Sequence, residues 1–400
     1  MKLLFVAPDL PNPALKGYQL VLARHIEFLA KRHFIDLIAF RDCEQRAIDL
    51  GDLPMWCNNL ETIKLPIWRS FWNLFVGAFT DRPWQVSYYR SREMARVIEN
   101  RLRRSTYDVV IFHLTRMAQY RPDWYEGVTV LNMVDPLVLS YQRSLAWRPW
   151  YTRTAVLSEI ARLSRYEAQE ARYFRRVLLL TNKDAQDYQV LLNGARVDTT
   201  SHGVDVDFYS PFKSVPRQDG RIIITGNMGY APNIDAVQYF CRHIFPRVLK
   251  EEPNAQLWIV GARPSRVVQK LANDKTVMVT GFVPDIRPYL AEAMVSVCPV
   301  RLSVGTLTKV LEALAMGTPV VTTTAGNNGI NAVSGEHLYV ADSPEDFANK
   351  VVALLRGECW QELFENGRRF VVEHFSWDKS ATKLERVLEE LVGRTTQDRT

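Results

Sequence analysis

Four hundred residues are more than one hydrophobic core supports and point to two or three domains. With 47% apolar, 24% charged and 11% aromatic residues, the chain can fill real cores, which excludes fibrous and disordered classes. The net charge of +6 is uneven: residues 1–200 hold 28 Lys+Arg against 21 Asp+Glu, and the other 200 hold 22 against 23. The basic first half suits an anionic partner such as a lipid headgroup, a nucleotide or nucleic acid, with a merely solvated surface as the plain alternative.

The chain opens with KLLFVA (Lys2 to Ala7), which Pro8 and Asp9 end too early for a signal peptide. No apolar run approaches the ~20 residues of a membrane-spanning helix. The five cysteines are scattered singly, so neither a disulfide framework nor a zinc site is signalled, and reduced cytosolic thiols are expected.

Further apolar runs in the first half are IDLIAF (Ile35 to Phe40), YDVVIFHL (Tyr107 to Leu114), VTVLNMV (Val128 to Val134) and VLLLT (Val177 to Thr181), with amphipathic helical stretches between them. Continuous hydrophobicity marks parallel strands covered on both faces. Gly17 precedes the first such helix and permits close approach of backbone to a phosphate, or simply makes a turn. His113 ends the strand YDVVIFHL, with Arg116 three residues on, and Asp135 closes VTVLNMVD. His113 and Asp135 each have two readings: ligand contact, or a satisfied structural histidine and a helix cap respectively.

WRSFWNLFVGAF places Trp68, Phe71, Trp72, Phe75 and Phe79 at helical spacing, near a run of arginines from Arg90 to Arg104. That face either docks on an anionic membrane or packs as core or domain interface.

SPFKSVPRQDG (Ser210 to Gly220) reads as a linker, and the alternation of strand and helix then begins afresh. The strands are RIIITG (Arg221 to Gly226), QLWIVG (Gln256 to Gly261), VMVTG (Val277 to Gly281), VSVCPV (Val295 to Val300) and PVVTT (Pro319 to Thr323). Two doubly wound α/β domains are implied, 1–210 and 211–375, with the helix 376–400 packing back on the first. Such sheets bind ligands at the carboxyl ends of their strands.

The most informative run is RLSVGTLTKVLEALAMGTPVV (Arg301 to Val321). It sets Gly305 and Thr306 at a helix N-terminus, where free N–H groups and the helix dipole attract an anion. Lys309 and Arg301 add positive charge at the same place, and Glu312, one turn on, is suited to accept hydrogen bonds from a ribose diol. A nucleoside diphosphate fits this set. The alternative is an ordinary helical Lys–Glu pair beside a turn glycine.

This run resembles the signature of glycosyltransferase family 4, retaining nucleotide-sugar-dependent enzymes of the GT-B fold, in which two Rossmann-like domains face a cleft. Glu312 matches the second glutamate of the pattern, implying ribose binding, and ALAMGTPVV matches the rest of it. Where the family has its first glutamate, this chain has Val304. Lys309 is similar to the lysine of a subset that includes transferases of exopolysaccharide loci. SHGVDVDFYSP, GNMGYAPNIDAVQYF and GFVPDIRPYLAEA are also placed as in that family. The resemblance implies that the loop at Gly281, Phe282 and Val283 holds the base. Gly226 and Asn227 stand where the usual Arg and Lys pair would be, and Lys16 replaces one glycine of the pair that Gly17 belongs to. In relatives a histidine near His113 contacts the donor sugar.

The reading is therefore a hexosyl transfer from a nucleotide sugar to a hydroxyl acceptor, in polysaccharide, glycolipid or glycoconjugate synthesis. Donor-binding residues are Gly17, Gly226, Asn227, Phe282, Val283, Gly305, Thr306, Lys309 and Glu312; catalytic residues are His113, Lys309 and Arg301; acceptor-side residues are Arg116 and Asp135. No metal and no further cofactor are expected. The partners are the donor and a carbohydrate or lipid-linked acceptor, with peripheral contact at the inner face of the membrane and no nucleic acid. The rivals are a nucleotide-binding subunit without catalysis, motivated by Val304, and a GT-B epimerase.

Overall fold

The computed structural model describes all residues except 13–16, 42–51, 135, 146–147, 193, 213–214, 274, 303–304 and 398–400, together with the side chains of 394–397. Lys16, Cys43, Asp135 and Val304 lie outside the described residues.

The chain divides into two units, residues 1–201 with 380–400, and residues 202–379. The first carries a seven-stranded sheet: β1 (Lys2–Ala7), β2 (Phe34–Arg41), β3 (Asn59–Lys64), β4 (Val109–His113), β5 (Thr129–Val134), β6 (Arg176–Leu179) and β7 (Val197–Thr199), in the order β3-β2-β1-β4-β5-β6-β7. The second carries β8 (Gln218–Thr225), β9 (Gln256–Val260), β10 (Val277–Gly281), β11 (Ala293–Cys298), β12 (Val320–Thr322) and β13 (Tyr339–Val340), in the order β10-β9-β8-β11-β12-β13. All pairings between these strands are parallel. Both are doubly wound, Rossmann-like sheets. In each, the order reverses beside the unit's first strand, between β1 and β4 and between β8 and β11. That is the switch point where open α/β sheets leave room for a ligand at the strand ends.

Each sheet is buried on both faces, as its unbroken apolar strands require. Val6, Val110 and Leu131 point into one core of the first unit, and Leu3, Val109 and Val130 into the other. Leu384, Leu388 and Leu391 lie in that second core, at spacings of four and three along the closing helix Trp377–Gln397. Ser380 of the same helix is hydrogen-bonded to His25, and Glu385 to His33.

The sequence puts the boundary near residue 210, whereas the chain passes from one unit to the other at Ser201/His202. SHGVDVDFYSP belongs to the second unit from His202 onward, because it is tied there. The Val204 amide donates to Phe375 O at 2.7 Å, and the Arg368 guanidinium donates to Tyr209 O at 3.1 Å. The stretch read as a linker is also anchored, since Arg217 donates to the carbonyls of Leu290, Ala293 and Gly317.

Candidate functional site

At the switch point of the second unit, β8 ends at Thr225 and the chain turns through Gly226 into the helix Ala231–Tyr239. On the other side of the switch, β11 runs out toward Arg301, and the helix Thr308–Ala315 comes next. Asn233, in the first turn of the earlier helix, joins the two. Its amide nitrogen donates to Asn227 O at 2.9 Å, and its side-chain oxygen accepts from Lys309 Nζ at 2.6 Å. A methyl group on Gly226 would sit 2.9 Å from the Asn233 amide nitrogen and 3.3 Å from that ammonium. Gly226, at φ 146°, is thus the bare spot over which the ammonium sits, and a side chain there would fill it.

The neighbouring strand end is equally bare. Gly261, at φ 152°, lies so close to Gly226 that a Cβ would overlap the Gly226 carbonyl oxygen. Gly281, at φ 73°, ends β10, and its carbonyl accepts from the Gly261 amide at 3.1 Å. Three adjacent strands therefore finish in glycine backbone. Phe282 comes next and is 75% exposed, and Val283 is half-buried beside it.

The helix Thr308–Ala315 begins after Gly305, whose φ is 67°, and no side chain caps its N-terminus. The Thr306 hydroxyl donates to Gly329 O at 3.3 Å. The first-turn amides and Lys309 together offer donors and positive charge at one strand end. Lys309 also draws the buried Cys298 thiol downward, although burial outweighs it and leaves that thiol raised.

Glu312, one turn along, is buried and is hydrogen-bonded by the Tyr209 hydroxyl, which burial first and the Glu312 charge second push well above the usual phenol range. Tyr209 comes from SHGVDVDFYSP. The same neighbourhood holds Asp285, held below the usual carboxylate range by its pairing with Arg287 at 2.7 Å. Arg301 is engaged by the helix that carries Asn233: its fork closes on both oxygens of Asp235, and its guanidinium lies 5.1 Å from the Tyr239 ring centroid. A phosphate would therefore compete with Asp235 for Arg301.

Thus Gly226, Asn227 and Lys309 are brought into one cluster, while Glu312 and Arg301 are each engaged by a partner that sequence reasoning missed. Asn233 and Asp235 had a visible signal, two polar residues in the opening turn of a helix beside a strand end. Tyr209 had none.

In the first unit, Gly17 opens the helix Tyr18–Ala30 at φ 81°, with no atom of the described residues within 4 Å of where its Cβ would be. The loop after β1 is fastened by Tyr18, whose hydroxyl donates to Asp9. His113, at the end of β4, is fully buried. Its Nε2 lies 3.3 Å from Tyr18 O and its Nδ1 lies 3.4 Å from the Asn132 amide nitrogen. Burial, with a smaller push from His25, lowers it to about 3, so it is neutral and donates Nε2–H to Tyr18. Of the two readings of His113, this geometry matches the structural one: the ring holds the loop and presents no nitrogen to solvent. Arg116 is sandwiched between the rings of Tyr18 at 5.4 Å and Tyr89 at 4.8 Å. Its Nη1 donates to Gln85 at 3.3 Å.

The aromatic stripe faces outward. In the helix Ile67–Ala78 the buried residues are Ser70 and Gly77, and a Cβ on Gly77 would lie 2.6 Å from Ser87 Oγ. Trp68, Phe71, Trp72, Phe75 and Phe79 are 60–79% exposed. The small face is seated on the protein and the apolar face is not.

Residues 219–357 match the family model described as "Glycosyl transferases group 1". The chain carries a glycosyltransferase domain. Its enzyme class derives from that domain, which holds the Gly226, Asn233 and Lys309 cluster. Among solved structures, sucrose-phosphate synthase from Thermosynechococcus elongatus is similar, with a TM-score of 0.71 at 17% identity, covering 98% of this chain and 100% of that one. Anabaena HepE in complex with UDP and glucose gives 0.66 at 12% identity over 98% and 100%. TarM gives 0.67 at 11% identity over 97% and 99%. These likenesses show the fold, which is GT-B. No curated protein matches the chain in sequence.

Proposed function

We propose that the protein is a retaining glycosyltransferase of the family 4 kind, moving a hexosyl group from a nucleotide sugar to a hydroxyl acceptor in polysaccharide, glycolipid or glycoconjugate synthesis. One observation carries this reading: the Lys309 ammonium, the Gly226 backbone and the free N-terminus of Thr308–Ala315 converge at a switch point inside the glycosyltransferase domain. HepE was captured with UDP and glucose, and TarM with UDP and α-GlcNAc-glycerol, which supports a nucleotide-sugar donor here.

In this mechanism the diphosphate sits over Gly226. Lys309 and the first-turn amides stabilise the negative charge that develops on it as the glycosidic bond breaks. They are fixed before the reaction, which is what makes such stabilisation effective. Glu312, oriented by Tyr209, holds the ribose diol, and the exposed backbone at Gly281 to Val283 takes the base. The acceptor hydroxyl attacks from the face the diphosphate leaves and gives its proton to the departing phosphate. Arg301 joins when a phosphate displaces Asp235. No metal is needed because these cations replace one.

We further place the protein against an anionic membrane on the cytoplasmic side. The outward aromatic face of Ile67–Ala78 is of the kind that enters an interface, and the arginines nearby suit its charge.

The test is a thermal-shift screen of UDP, GDP, ADP and TDP and their sugars, then turnover of the best ligand. One nucleotide should stabilise the protein, and its sugar should be consumed with an acceptor present. Binding without any turnover would identify a non-catalytic subunit. Conversion of the donor sugar with no acceptor would identify an epimerase.

A further inference from the structure

A cavity lies wholly within the first unit. It has a volume of about 750 Å³ and is walled by the turn Thr80–Pro83, the start of the helix Arg92–Arg104 and one face of the helix Trp150–Glu170. Five arginines line it, Arg82, Arg90, Arg92, Arg162 and Arg165, against two carboxylates, Asp81 and Glu170.

The helical face is built for this. Arg162, Arg165, Tyr166 and Gln169 succeed one another at spacings of three, one and three, so their side chains share one side of the helix. The opposite wall is tied down. The Trp84 amide donates to Glu159 at 2.7 Å, Gln119 donates to Val86 O at 3.0 Å, and the Ser91 amide donates to Tyr120 Oη at 2.8 Å.

Several arginines elsewhere in this unit have carboxylate partners, among them Arg101 with Glu61 at 2.9 Å, Arg143 with Asp184 at 3.5 Å, and Arg176 with Asp198 at 2.8 Å. Among the described residues none of the five cavity arginines forms an ion pair. Among the described residues Arg162 Nη1 is buried without a hydrogen bond, with the Glu159 carboxylate acting on it only as a nearby charge. Glu170 is raised above the usual carboxylate range by burial, against the opposing pull of Arg121 and Arg82.

We propose that this cavity binds a phosphate or diphosphate group. Guanidinium forks match phosphate oxygens in pairs, and five forks around one space exceed what a lone carboxylate would occupy. A cavity of this size takes a diphosphate with a sugar ring attached, within the usual ~300–1,000 Å³ of small-molecule sites. Such a group reaches the site either on a lipid at a membrane surface or on a soluble molecule. The aromatic helix ends at Ala78, two residues before the cavity's first wall residue, Thr80. The site is separate from the nucleotide site at Lys309, and its test does not depend on donor binding.

Inorganic pyrophosphate is titrated calorimetrically into the whole protein at low salt. Arg92→Gln with Arg165→Gln, both at exposed positions, should weaken binding at least tenfold while leaving the melting curve unchanged. Arg96→Gln with Arg104→Gln removes the same charge outside the cavity and should leave affinity within twofold. No binding by the parent protein, or equal weakening by both pairs, overturns the site. Sedimentation with phosphatidic-acid vesicles then separates the sources. Release of the cavity pair alone assigns a lipid phosphate, and co-sedimentation equal to the parent assigns a soluble one; the site stands in both cases.

Discussion

The Lys309 ammonium is held 2.6 Å from the Asn233 side-chain oxygen, across the switch point and beside the backbone of Gly226. Asn233 fixes where the charge sits and leaves its sign uncompensated, since an amide is neutral. Lys309→Ala should therefore weaken nucleoside diphosphate binding by roughly tenfold to hundredfold, the range of ~1.5–3 kcal/mol for a charge-assisted hydrogen bond. Nucleoside binding should hardly change. Asn233→Ala should give a smaller loss of the same kind. Calorimetry with diphosphate and nucleoside side by side checks this, and equal losses for the two ligands would remove Lys309 from phosphate binding.

Glu312 tests the ribose. It is buried and oriented by Tyr209, so it is poised to accept from a diol. The parent protein should prefer a ribonucleotide to its 2′-deoxy analogue, and Glu312→Gln should lose most of that preference. Tyr209→Phe should weaken it partly by freeing the carboxylate. An unchanged preference in Glu312→Gln would take this residue out of the site.

Metal independence is expected from the cationic groups proposed at the diphosphate. Transfer should survive EDTA with little loss of rate. Complete loss, restored by magnesium or manganese, would sink the idea.

How much of the molecule is legible in its sequence varies with the physics. Strands such as β1, β4 and β8 are visible because parallel strands covered on both faces need unbroken apolar runs. β3 (NLETIK), β7 and β13 are not, because they are short or half solvated and lie at or beside the sheet edges. The helix start at Gly305 and Lys309 is legible from local order alone. The partners that define the site are not: Asn233 stands 76 residues from Lys309, and Asp235 stands 66 from Arg301. Only the sheet order brings such pairs together. The arginine cavity is half legible, since Arg162, Arg165 and Gln169 show helical spacing but the opposite wall comes from the segment Thr80–Ala95.

Glu167 is invisible for the same reason. It is fully buried in the first unit, accepting from Tyr188 at 2.7 Å and Thr115 at 3.1 Å, and burial outweighs both bonds to raise it to about 7. The folded state therefore holds this proton more tightly than the unfolded chain does. Its contribution to stability is full below the unfolded value near ~4.5 and is lost as pH rises through about 7. The loss is on the order of 3 kcal/mol, from the free-energy equivalent of such a shift. Thermal melts of the parent should fall from pH 5 to pH 8, and Glu167→Gln should flatten that slope. A slope equal in both proteins would assign the titration elsewhere.

The last prediction concerns the outward aromatic face. A stripe at helical spacing ordinarily packs as core, but here Ser70 and Gly77 take the inner side and Gly77 leaves no room for a larger residue. Trp72 and Phe75 lie tilted against each other at 5.8 Å, and Phe75 meets Phe79 edge-on at 5.4 Å, so the rings form one exposed patch. Because Trp72 and Phe75 are 61% and 60% exposed, Trp72→Ser with Phe75→Ser should leave the fold intact. The parent protein should sediment with anionic vesicles at low salt and less at high salt, since each nearby basic residue adds on the order of 1 kcal/mol that salt screens. The double variant should remain in the supernatant with an unchanged melting temperature. Gly77→Leu should behave differently, unseating the helix and lowering stability by overlap with Ser87. Sedimentation of the double variant equal to the parent would show that the rings do not meet lipid.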